Sequence, residues 1–183
     1  MEREAVSHIV DHCRSSAAGV LALEIEWNNK DPFFDRDLEN FKRLHADGAI
    51  SVGILVTRGQ LLHERMPQLV GRLVRDRKVA TLNDLERWGY FPTRRQRAAI
   101  EKRVNRKKAP MTFPEAFVDV FVSDKFGEAT THWRKLEDPV HRGVGNPCPL
   151  LLIGLPDNVV TFDEGEKALT EVLQGEDEGV GED

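Results

Sequence analysis

The sequence predicts an α/β fold in which a central mixed β-sheet is flanked by helices. Three observations predict it. Residues 20–27 open apolar and then alternate, with Leu23, Ile25 and Trp27 on one parity and Glu24 and Glu26 on the other. Period two is the mark of a strand, because successive side chains leave opposite faces. Residues 49–57 are almost continuously apolar (Ile50, Val52, Ile54, Leu55, Val56), as in a strand covered on both sides. Between the two lies a stretch with Leu38, Phe41, Leu44 and His45 at helical spacing. Strand, helix, strand is the crossover unit of such a sheet.

The elements follow in order. Ile9 and Val10 are β-branched and predict a first strand, with residues 14–19 as the turn to the second. The alternation places Leu23, Ile25 and Trp27 in the core. Asp31-Pro32 breaks that strand. Asp35 is a fair N-cap for a helix over 35–46 that ends near Gly48. Residues 61–75 read as a helix interrupted in propensity by Pro67 and Gly71. A short helix is expected at 83–87, another from Thr93 to Val104, and one over 114–124 with Pro at its first turn. A further helix is expected over 130–136, a last core strand at 150–153, and a helix at 166–173. From Gly175 onward Gly and acids dominate, which predicts a disordered tail. Residues 1–174 thus form one domain and 175–183 an acidic tail.

Bulk properties narrow the function. Charged residues are 31% and hydrophobic ones 40%, an ordinary balance for a water-exposed globular chain. No apolar run reaches the roughly 18–20 residues of a membrane span, and the start lacks the basic and apolar regions of a signal peptide. A cytoplasmic location is expected. Cys13 and Cys148 are far apart, fit no zinc spacing and are expected to stay reduced. The net charge of −5 hides a segregation. Residues 61–110 hold about 14 Lys and Arg against about 5 Asp and Glu, while 163–183 is roughly −8. The middle of the chain is suited to phosphates and the tail is not.

The chemistry centres on three carboxylates. Glu24 and Glu26 share a strand face, and the hairpin brings Asp11 beside them. Alternating Glu is usually a solvated strand face. Clustered acids at the end of an apolar strand instead call for a compensating divalent cation, and Mg²⁺ takes carboxylates with waters and phosphate oxygens. Asp followed by Glu-x-Glu on the neighbouring strand is the layout of a metal-dependent phosphodiesterase centre. His8 and His12 flank Asp11 with the opposite parity, which argues against a zinc site there.

The run Ala22-Leu-Glu-Ile-Glu-Trp-Asn-Asn-Lys-Asp31, with Val10-Asp11-His12 before it and Phe34-Asp-Arg-Asp-Leu38 after it, resembles the BglII-like type II restriction endonucleases. That group lies within the PD-(D/E)xK nucleases. The resemblance resumes at residues 50–58, 125–132 and 145–154, in order along most of the chain. It implies a restriction-endonuclease-like core and Mg²⁺-dependent hydrolysis of double-stranded DNA at a short, palindromic site, within a restriction–modification system. It implies Asp11 and Glu24 as metal ligands. Glu26 stands where the wider superfamily most often has Lys, as in BamHI-type relatives, so a carboxylate there would orient the attacking water or act as general base. A homodimer is expected, since a two-fold protein matches a palindrome.

Further contacts to DNA are expected from Asn28 and Lys30, from the basic residues Arg94, Arg95 and Arg97, and from Thr130, Thr131 and His132 at a helix start. Each has a plainer reading: a Lys30–Asp31 pair, a solvated helix face, and an N-cap beside a packed Trp133. The family normally carries a helical segment ahead of the first metal-binding Asp, and here only residues 1–10 precede it. The apolar side chains Leu21, Leu23, Ile25 and Trp27 are therefore expected to need cover from a partner subunit or from a longer chain. Two rival functions remain: a structure-specific or repair nuclease of the same fold, and a DNA-binding protein without catalysis.

Overall fold

The computed structural model describes residues 10–30 and 33–162. The helix expected at 166–173, the acidic tail, Ile9, His8 and the Asp31-Pro32 break lie outside the described residues.

Among the described residues a four-stranded mixed sheet runs in the order β1-β2-β3-β4. Strand β1 (His12–Ser16) pairs antiparallel with β2 (Gly19–Glu26). Helix α1 (Phe33–Ala46) then crosses over to β3 (Val52–Arg58), which runs parallel to β2, and β4 (Leu150–Leu155) lies parallel to β3. Between β3 and β4 come helices α2 (Gln60–Asp76), α3 (Leu82–Arg87), α4 (Arg94–Val104), α5 (Phe113–Lys125) and α6 (Trp133–His141). This is the flanked mixed sheet that the alternation and the apolar run predict.

Two cores hold it. Ala22, Leu55, Phe34, Leu38, Phe41 and Leu136 join the sheet to α1 and α6. Val74, Leu85, Ile100, Phe117 and Val120 join α2 to α5 in a separate helical unit. The first core depends on a close approach. A Cβ on Gly53 would lie 2.6 Å from Phe41 Cδ2, so only glycine lets α1 settle on β3. Helix α2 runs through Pro67. Helices α3, α4 and α5 each begin with a reciprocal capping box, at Thr81/Asp84, Thr93/Gln96 and Thr112/Glu115.

Three expectations change. First, the hairpin is tighter: residues 12–16 are strand, and only Ala17 and Ala18 form the turn. Gly19 permits this with φ +134°. Second, the helix expected over 130–136 begins at Trp133 and runs to His141, and His132 before it is extended. Thr130 instead bridges to Lys30.

Third, the parity of β2 holds but the sense of its faces is reversed. Ala22, Glu24 and Glu26 point to the helix-covered side. Leu21, Ile25 and Trp27 face outward at 38%, 43% and 37% exposure, and Leu151 and Ile153 of β4 are exposed on the same sheet face across β3. Leu23 is half-buried. The physical reason is the crossover. Helix α1 packs where small side chains, Ala22 and Gly53, let it approach. The carboxylates under it are tolerated because they find polar partners there, described next.

Candidate active site

The fold places Glu24 and Glu26 two residues apart on the covered face of β2, each only 4% exposed. Buried carboxylates must be paired or hydrogen-bonded. Asp11 sits just before β1, opposite Glu24. Its Oδ2 accepts from the Ile25 amide at 2.9 Å, and its own amide donates to Glu24 Oε2 at 3.3 Å. The hairpin thus fastens Asp11 and Glu24 together through backbone and side chain.

Glu26 finds different company. Asn29 Nδ2 donates to its Oε2 at 2.7 Å. From α1, the buried side chain of Asp37 acts on it through a hydrogen bond and its charge. Burial, then the hydrogen bond and charge of Asp37, push the Glu26 carboxyl up to about 8, against the lowering pull of Asn29 and Arg36. Arg36 Nη2 lies 3.1 Å from Asp37 Oδ1. Asn40, one turn further along α1, is also buried and accepts from Arg43 Nη2 at 2.7 Å.

Sequence reasoning missed Asp37, Asn29 and Asn40. A signal existed for two of them: Asp37 and Asn40 are three apart, and they lie on the same helical face as Leu38 and Phe41. Two polar residues within an apolar helical face mark a site.

Arg58 was missed as well. It ends β3 with no exposed surface. Its Nε donates to Trp27 O at 2.8 Å, and its Nη2 donates to Thr130 Oγ1 and Thr131 O, each at 2.6 Å. It stays charged although burial lowers its pKa to about 10. Arg58 ties the 127–132 loop to the ends of β2 and β3. That loop in turn holds the strand end, because the Thr131 amide donates to Asn29 O at 2.7 Å.

The remaining sequence candidates fall in two places. Thr130, Thr131 and His132 are buried, and their side chains face inward in this conformation. Asn28 and Lys30 are exposed at the end of β2. Arg94 and Arg95 are exposed on α4, whereas Arg97 is tied to Glu86 at 3.0 Å and to Pro92 O at 2.9 Å. Lys30, Phe91, Arg95, Arg103 and Lys125 line one open cleft between the strand end and the helical unit. A largely basic cleft thus opens beside Lys30, past the end of β2.

Residues 1–155 match the family model described as restriction endonuclease BglII/BglIII. The chain belongs to this restriction endonuclease family. No curated protein and no solved structure matches the chain. Membership makes the protein a DNA nuclease, and restriction endonucleases generally depend on a divalent metal. The restriction-endonuclease-like core is the sheet with α1 and α6. Among the described residues no helix is long and apolar enough to cross a membrane.

Proposed function

We propose that the protein is a type II restriction endonuclease that hydrolyses double-stranded DNA at a short, palindromic sequence with Mg²⁺. The observation that carries this reading is the pair of buried glutamates on β2, with Asp11 on one and Asp37 on the other. A donor set made only of carboxylate oxygens, crowded enough to hold a proton well above the usual range, fits a hard dication. Asp11 and Glu24 would hold it. When bound, Mg²⁺ supplies Lewis-acid stabilisation of charge at phosphorus and lowers the pKa of water.

The chain's own groups do the rest. Glu26, oriented by Asn29 Nδ2, takes a proton from the attacking water in its ionised form only, and a bound dication beside it would favour that form over the one that keeps its proton up to about 8 in the metal-free protein. Lys30, Arg95 and Lys125 face the basic cleft and contact phosphates, which positions the duplex without reading its sequence. A homodimer presents two such sites to the two strands of a palindrome. Its place is the cytoplasm of a prokaryote, in a restriction–modification system. The test is digestion of plasmid DNA by the purified protein. Discrete fragments with common ends in Mg²⁺, and none in EDTA, are expected. Cleavage that follows junctions or lesions in place of sequence would establish a repair nuclease instead.

A further inference from the structure

The second cluster of ligand groups lies away from the carboxylates. It joins His63, in the first turn of α2, to Glu128 and His132 in the loop before α6. One ligand atom from each residue can be chosen so that all three lie within 4.8 Å of one another. His63 Nε2 is 3.2 Å from Glu128 Oε1, and His132 Nε2 is 3.6 Å from Glu128 Oε2. Ligands around a tetrahedral zinc, at bond lengths of about 2.0–2.2 Å, stand roughly 3.4 Å apart. The two separations to Glu128 are of this order, and a turn of one imidazole out of its stack with the other would bring both lone pairs onto one ion.

A surface ion pair explains Glu128 and His63 alone, and such pairs contribute little. It does not explain His132. That ring is 2% exposed, and neither of its nitrogens makes a hydrogen bond, a costly arrangement for a buried polar group. The two imidazoles stack at 4.0 Å between centroids and 11° between planes. Two cations would not stack so closely in a buried setting. Burial and the neighbouring His63 lower the His132 pKa to about 4, so at neutral pH its lone pair is available. Glu128 is largely exposed, which leaves one side open for entry and for water as a further ligand.

We infer that His63, Glu128 and His132 form a second metal site, suited to a borderline ion such as Zn²⁺ and separate from the oxygen-lined site on β2. Imidazole nitrogen with one carboxylate selects zinc-type ions over magnesium. Coordination through His63 Nε2 places its proton on Nδ1, where Arg58 Nη1 now lies 3.3 Å away. Arg58 would then release this contact and keep its bonds to Trp27 O, Thr130 Oγ1 and Thr131 O. The ion would clamp α2 to the loop whose Thr131 amide holds Asn29, the residue that orients Glu26. It would thereby stiffen the strand end from outside the carboxylate cluster.

The test is a Zn²⁺ titration of the metal-free full chain in excess Mg²⁺, with Co²⁺ as the spectroscopic probe. Excess Mg²⁺ fills oxygen sites and leaves imidazoles free, so the result does not depend on whether the carboxylates cut DNA. One equivalent of tightly bound Zn²⁺ is expected, with Co²⁺ giving visible bands that Zn²⁺ abolishes. Glu128→Gln, at an exposed position that does not bear on folding, should weaken binding by roughly tenfold or more, since even outer-sphere losses cost about that much. His63→Gln should do the same. Absence of saturable Zn²⁺ binding at micromolar concentration overturns the inference. So does binding that both variants leave unchanged.

Discussion

Glu26 is the residue on which the account of the site depends most. In the folded protein it keeps its proton up to about pH 8, against 4.5 for an ordinary glutamate. Between those values the folded form binds a proton that the unfolded chain has released. The contribution to stability is therefore complete below about pH 4.5 and is lost as pH rises through about 8. In EDTA, the melting temperature of the wild type should fall from pH 5.5 to pH 8 relative to that of Glu26→Gln, and Mg²⁺ should restore it more at pH 8 than at pH 5.5. Parallel profiles for the two proteins would show that Glu26 is not buried against Asp37. The carboxylates themselves were legible in the sequence because period two places residues 24 and 26 together. That Asp37 meets them was legible only as a polar residue on the Leu38 and Phe41 face of a helix. Asp37 reaches Glu26 from an element whose packing face depends on the size of Ala22 and Gly53, which no periodicity states.

At the scale of elements, α4 and the 127–132 loop differ in what they expose: Arg94 and Arg95 are at the surface, whereas Thr130, Thr131 and His132 are buried. Arg94 and Arg95 are free of the ion pair that occupies Arg97 with Glu86. Replacing Arg94 and Arg95 by Ala should weaken DNA binding and reduce the dependence of log K on log salt by about one per residue. Arg97→Ala should leave that slope nearly unchanged and lower stability instead. Equal slopes for wild type and the double variant would make α4 a solvated surface. The helices of this unit were legible because their caps are local: Thr81 with Asp84, Thr93 with Gln96 and Thr112 with Glu115 are each three residues apart. The start of α6 was not. Thr130 and Thr131 are held extended by Lys30, Asn29 and Arg58, all distant in sequence. A buried arginine at the end of an apolar strand is a tertiary device without a local signature.

For the whole molecule, the alternation of β2 was correct as to period and silent as to side. Both of its faces offer something to bury, apolar side chains on one and carboxylates on the other, and helix α1 covers the carboxylates. Leu21, Ile25, Leu151 and Ile153 are left on an open sheet face among the described residues. Apolar surface of this kind favours association. Together with the expected palindrome, it predicts a dimer in solution, which sedimentation equilibrium of the full chain would show. A single monomeric species that still cuts both strands of its site would rule the dimer out. Whether the β2 carboxylates cut DNA is decided by cleavage with purified Glu24→Ala in Mg²⁺. Loss of cleavage, with folding and DNA binding retained, is the predicted result, since removing one of several crowded negative charges should not destabilise the metal-free protein. Cleavage at the wild-type rate by Glu24→Ala would contradict the account.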